Sequence, residues 1–147
     1  MALQVSVVGS GAGNEARAEE VGRLLAELGV TVVCGGRGGV MAAAARGAKG
    51  AGGTTIGILP GTSRRDANEW IDHVVATGTG HARNLAVAAS GDGVIAVGGA
   101  YGTLSEIAFA KILDRPVVIV EPGMHVEGVA RAATPRDAVD WVLSRIG

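Results

Sequence analysis

At 147 residues, with 48% hydrophobic and 18% charged side chains, the chain has the make-up of one globular domain, residues 1–147, rather than a disordered segment. A formal net charge of −1 with no basic block leaves no electrostatic footprint for nucleic acid, and no apolar run approaches the ~20 residues of a membrane span. Its one cysteine, Cys34, excludes an internal disulfide and fits a reducing compartment; MALQVSVVGS lacks a basic leader region, so the expectation is cytoplasmic.

In chain order, LQVSVVG (3–9) is β-branched, ends in glycine and reads as a buried strand. NEARAEEVGRLLAELG places Val21, Leu24, Leu25 and Leu28 on one helical face, with Gly29 as a stop signal. VTVVCGG is a second strand, GGVMAAAARGAKGAGG an Ala-rich helix, and TTIGIL a third strand stopped by Pro60-Gly61. HVVAT reads as a short fourth strand, GHARNLAVAAS as a helix, GVIAVGG as a strand and TLSEIAFAKILD as a helix. PVVIVEPG reads as the last strand. TPRDAVDWVLSRI closes the chain as a helix capped by Thr134, with Pro135 at its first position. Strands apolar on both faces and separated by helices predict an α/β fold: a Rossmann-like, doubly wound parallel sheet with helices on both faces.

The chain carries 25 glycines, and they cluster after strands. GSGAG (9–13) follows the first strand, GGRGG (35–39) the second and GGAYGT (98–103) the penultimate one. In a doubly wound sheet these loops share the carboxyl edge, where ligands bind. A loop without Cβ atoms lets backbone N–H groups approach an anion, and a following helix N-terminus adds a favourable dipole. The loops therefore nominate Gly9, Ser10, Gly11, Gly35, Gly36, Gly38, Gly39, Gly98, Gly99, Tyr101, Gly102 and Thr103 as binding residues for a small phosphorylated ligand. GAGNEA satisfies a dinucleotide fingerprint on its face, but the second strand runs into CGGRGG where a ribose-binding acid belongs. Arg37 offers a charge for a 2′-phosphate, but the second glycine cluster points to a loop that holds phosphate with its own backbone, and the pattern argues against ordinary NAD use.

Thr103-Leu104-Ser105-Glu106 matches a capping box, which explains Glu106 without a ligand. Glu106 one turn into a helix that starts at a bare loop also points beside any phosphate bound there. Arg83 opposes the dipole of the helix it begins, which calls for an anionic partner: a ligand, or a salt bridge to Asp92 or Glu106. His73, His81 and His125 are scattered and show no metal-ligand spacing. Cys34 reads as a small buried residue, Trp70 and Trp141 as packing or interface residues, and Tyr101 as the aromatic best placed to touch a base.

Taken together, GGRGGVM, then RN, then DGVIAVGGAYGTLSE resemble the LOG-like branch of the Rossmannoid SLOG superfamily, which has also been labelled lysine decarboxylase-like. That branch includes the LONELY GUY cytokinin phosphoribohydrolases and the molybdenum cofactor carrier proteins. The resemblance implies catalytic roles for Arg83 and Glu106 and a phosphate loop at Gly99, Gly102 and Thr103. Against the phosphoribohydrolase pattern P-G-G-x-G-T-x-x-E with its upstream Arg-Lys pair, Gly98 stands for the proline, Ala100 for a glycine and Asn84 for the lysine. Two readings follow. In one, the protein hydrolyses a nucleoside 5′-monophosphate to base and ribose 5-phosphate and needs no cofactor. In the other, it is a non-catalytic carrier of molybdenum cofactor or a nucleotide sensor. The resemblance also implies a homodimer or higher homo-oligomer.

Overall fold

The computed structural model describes residues 1–147. Seven strands, β1 (Gln4–Ser10), β2 (Thr31–Cys34), β3 (Thr55–Leu59), β4 (His73–Ala76), β5 (Gly93–Gly98), β6 (Val117–Val120) and β7 (Ala130–Ala132), form one sheet in the order β4-β3-β2-β1-β5-β6-β7. Every neighbouring pair is parallel. The five helices are α1 (Glu15–Glu27), α2 (Val40–Gly50), α3 (Arg83–Ser90), α4 (Tyr101–Ile112) and α5 (Pro135–Arg145). This is the Rossmann-like α/β architecture that the alternation of elements predicts. None of the helices is long and apolar enough to cross a membrane.

Side chains alternate between faces with the period of a strand. Val5 and Val7, Val32, Ile95 and Val97, and Val118 and Val120 pack into a core with α1, α2 and α5. Their neighbours Val8, Val33, Val94, Ala96, Val117 and Ile119 face the other way, into a smaller core with α3 and α4. Buried polar groups on the strands are bonded: the Ser6 hydroxyl, fully buried, donates to the Val87 carbonyl at 2.6 Å.

Two glycines serve the helical layer rather than any ligand. A Cβ at Gly22 of α1 would lie 2.0 Å from the Ala44 carbonyl oxygen, and one at Gly47 of α2 would lie 2.0 Å from that of Glu19. The two helices touch backbone to backbone there, which no side chain larger than hydrogen permits.

Two elements depart from the sequence reading. PVVIVEPG does not end the sheet, because β7 follows and pairs with β6; its Ala-Arg-Ala carries no β-branched signature. The Thr103–Glu106 capping box is absent: α4 begins at Tyr101, with Ala100 at the cap and no side-chain cap bond. The Leu104 N–H already donates to the Ala100 carbonyl at 2.9 Å, so Thr103 lies inside the first turn. Thr134 does cap α5, accepting from the Asp137 N–H at 3.1 Å.

Replacing Gly22 or Gly47 by alanine is expected to lower stability by about 1–3 kcal/mol in urea unfolding, despite alanine's better helix propensity. Gly50→Ala, at the open end of α2 with nothing within 4 Å, is the matched control and is expected to be neutral or stabilising.

Candidate functional site

Strand order runs outward from β1 through β2, β3 and β4 on one side, and from β5 through β6 and β7 on the other. The chain's connections therefore diverge between β1 and β5, and their carboxyl ends open into a crevice, the usual ligand position in such sheets. A cavity of about 400 Å³ sits there. Ser10 borders it from the end of β1, Gly35 and Arg37 from the loop after β2, His81 from the turn before α3, and Gly102 and Thr103 from the first turn of α4.

Arg83 and Glu106 both line this cavity. Glu106 is 7% exposed, one turn beyond Thr103 on α4, and burial pushes its carboxyl up to about 7 against the opposing pull of Arg83. The Arg83 guanidinium is held below its usual range by burial, with Glu106 acting in the other direction. It is not paired with either carboxylate considered from the sequence. Asp92 lies at the opposite edge of the sheet, accepting from the Gln4 N–H at 2.9 Å, and Glu106 forms no ion pair. Arg83 donates instead from Nη1 to Asn84 Oδ1 at 2.6 Å and from Nη2 to the Gly35 carbonyl at 3.4 Å. Its Nε is buried without a partner.

Glycine's part in this arrangement is specific. A Cβ on Gly35 would lie 2.6 Å from Met41 Sδ and 2.8 Å from Arg83 Nη2, so the bare position provides the arginine's seat. At Gly98 and Gly99, φ values of 62° and 133° make the turn from β5 into α4, and a Cβ on Gly99 would strike Thr103 at 2.6 Å. The turn starts α4 so that Gly102 and Thr103 of its first turn border the crevice.

Of the residues nominated from the sequence, Gly9, Ser10, Gly35, Gly102, Thr103, Arg83 and Glu106 come together in the cavity. Gly11, Gly36, Gly38, Gly39, Gly98, Gly99 and Tyr101 do not line it. Gly36 packs against Leu59 and Gly57, Gly38 and Gly39 are exposed, and Tyr101 is 89% exposed. Arg37, His81 and Asn84 also line it, each in a segment that the sequence already marks: Arg37 in the glycine loop after β2, His81 and Asn84 beside Arg83. Met41 and Pro60 also line it, and nothing in their local sequence marks them. Cys34, fully buried, has its thiol pushed up to about 11 by burial, as befits a packed strand residue.

A parallel sheet with a charged cavity at its switch point, bordered by the first turn of a helix, is a Rossmann-like α/β arrangement. The family model for the SLOG cluster4 family matches residues 2–141, and the chain belongs to that family. An uncharacterised protein of Archaeoglobus fulgidus is 42% identical over 146 residues, covering 97% of this chain and 95% of its own length. The cytokinin riboside 5′-monophosphate phosphoribohydrolase of Mycobacterium tuberculosis is 32% identical over 121 residues, 76% of this chain and 65% of that enzyme. Among solved structures, the molybdenum cofactor binding protein of Rippkaea orientalis superposes with a TM-score of 0.93 at 32% identity, covering 100% of this chain and 99% of that one. The resemblance to the LOG-like branch, with both of its functional types, thus holds across the sequence and the fold.

Folding raises the Glu106 carboxyl above its ordinary value of 4.5, so the native state favours the protonated form. The associated stability is complete below the unfolded value and is lost as pH rises through about 7. Glu106→Gln, which keeps the neutral shape, is therefore expected to match the wild type near pH 4 and to exceed it at pH 8 by on the order of 3 kcal/mol in chemical denaturation.

Proposed function

We propose that the protein binds a nucleoside 5′-monophosphate, or a ligand built like one, and hydrolyses its N-glycosidic bond. The observation that carries this reading is the desolvated Glu106 carboxyl, poised near neutrality in the same cavity as an arginine with which it is not paired. The phosphate is held by the Gly102 and Thr103 amides and the Thr103 hydroxyl at the start of α4, with Ser10 across the crevice. The sugar C1′ then lies beside Glu106. As the bond from C1′ to the base breaks, its electron pair leaves with the base and positive charge develops on the sugar. The Glu106 carboxylate stabilises that charge and takes a proton from the incoming water, whose oxygen bonds to C1′. Arg83 polarises the leaving base or steadies the phosphate; the base gains a proton and ribose 5-phosphate remains. Membership in a family with phosphoribohydrolase relatives supports this assignment.

A second reading has its own support. Asn84 and Gly98 depart from the hydrolase pattern, and a molybdenum cofactor binding protein superposes over the full length of this chain. The same cavity would then hold a phosphate-bearing pterin through Ser10, Thr103 and the Arg83 guanidinium, without turnover. The cofactor would supply the redox chemistry to whichever enzyme receives it, and this chain would only bind, orient and shield it.

Incubation with AMP is expected to release free adenine and ribose 5-phosphate in equal amounts, and Glu106→Gln is expected to reduce the rate at least ~100-fold, the scale of a lost general base. The rate should climb through about pH 7 as Glu106 ionises and level off above it. Absence of product with AMP, together with stoichiometric retention of molybdenum and pterin after purification, would favour the carrier.

We also propose that two copies pair across α3 and α4. Leu85, Leu104 and Ile112 are 43%, 38% and 73% exposed there, and α4 is apolar on its outer side as well as its inner one, which in a soluble helix calls for cover. Ile112→Glu is expected to halve the mass measured by sedimentation equilibrium.

A further inference from the structure

We propose that Asn84 is a positioning residue that holds the Arg83 guanidinium on Gly35 and away from Glu106, so that the two opposite charges of the cavity stay unpaired and available to the ligand. Its catalytic meaning rests on the reading above, but the arrangement does not.

Where burial strips water from the charges, an arginine and a carboxylate attract one another more strongly than at a surface. The ion pairs of this protein nevertheless join Arg23 to Glu20 and Glu27, Arg46 to Glu19, Lys49 to Asp72 and Arg131 to Glu121, all on more exposed ground; Arg83 and Glu106 form none. Something must hold the guanidinium back. Its Nη1 donates to Asn84 Oδ1 at 2.6 Å and its Nη2 to the Gly35 carbonyl at 3.4 Å, in space that a Cβ on Gly35 would occupy.

Asn84 is itself fixed. It is 6% exposed, and its Nδ2 donates to Ser105 Oγ at 3.1 Å, while that hydroxyl donates to the Gly102 carbonyl at 2.6 Å. The relay ties the arginine on α3 to the first turn of α4, the same turn that brings Thr103 and Glu106 to the cavity. Asparagine suits the post because it accepts on one side and donates on the other. A lysine here, as in the Arg-Lys pair of the phosphoribohydrolase pattern, would offer the guanidinium no acceptor and would repel it. Beyond Arg83, the ionisable groups around Glu106 are Arg37 from the loop after β2, His81 from the turn before α3 and the buried thiol of Cys34 at the end of β2. None of these is bonded to the carboxylate, so Arg83 is the partner whose release would be felt.

The test is a carbon-13 NMR titration of the Glu106 carboxyl in ligand-free protein, comparing wild type, Asn84→Leu, Ser105→Ala and the double variant Arg83→Gln/Asn84→Leu. Leucine fills the asparagine's volume without its hydrogen bonds. With Asn84→Leu the freed guanidinium should reach Glu106 and lower its midpoint by about one unit or more, a tenfold change in proton affinity. Ser105→Ala, which cuts only the outer anchor, should move it the same way by less. Removing the guanidinium in the double variant should return the midpoint to the wild-type value or above. An unchanged midpoint in Asn84→Leu overturns the proposal. If that variant does not fold, an unchanged midpoint in Ser105→Ala overturns it equally. The measurement needs neither ligand nor turnover, so failure of AMP hydrolysis leaves it standing and its own failure leaves the hydrolase reading standing.

Discussion

The reversal of strand order between β1 and β5 is the constraint on which the site depends. Parallel strands must be joined by crossovers, and right-handed crossovers starting on opposite sides of β1 send their helices to opposite faces of the sheet. The helical layers part at that seam, and the cavity lies above the strand ends. Loops from β1, β2 and β5 converge there because all parallel strands end on one edge. Residues far apart in the chain, Ser10, Gly35, Arg83 and Glu106, meet for this reason.

The glycine content, odd for a folded domain when taken as a single number, divides into separate physical tasks. Gly22 and Gly47 let two helices approach until backbone meets backbone. Gly98 and Gly99 make a turn in conformations that L side chains resist. Gly35 leaves a seat for a guanidinium. Several glycines that look like anion-binding positions in the sequence have uses in the protein's own packing: Gly36 meets Leu59 and Gly57, and Gly99 meets Thr103.

Electrostatically, the cavity is a place where charges are kept from cancelling. Arg83 and Glu106 are both desolvated, which lowers one proton affinity and raises the other, yet they share no hydrogen bond. An asparagine and a glycine carbonyl take up two of the arginine's donors, and Glu106 acts on it through space without an ion pair. A carboxyl near its midpoint at neutral pH beside such a cation suits two tasks: accepting a proton in a glycosidic hydrolysis, or adapting to an anionic ligand as it docks. Membership in a family with both hydrolase and cofactor-binding relatives fits a site with that range.

Much of this was legible in the chain itself. The alternation of β-branched runs with helical patterns specifies a doubly wound parallel sheet, since strands apolar on both faces need helices on both. The clusters after the strands point to the carboxyl edge, and Arg83 announces itself by opposing a helix dipole. The three-residue β7 was not legible, because an Ala-Arg-Ala strand is made by pairing with β6 and not by its own propensity. The start of α4 is not legible for a related reason: Thr103 and Glu106 fit a capping box locally, but the Gly98–Gly99 turn starts the helix earlier and Glu106 lines the cavity. Local pattern determines which elements exist and which faces they bury. Which loops meet, which glycines line the cavity and which pack against protein, and whether two buried charges pair are set by distances between residues remote in sequence, and only tertiary structure decides those.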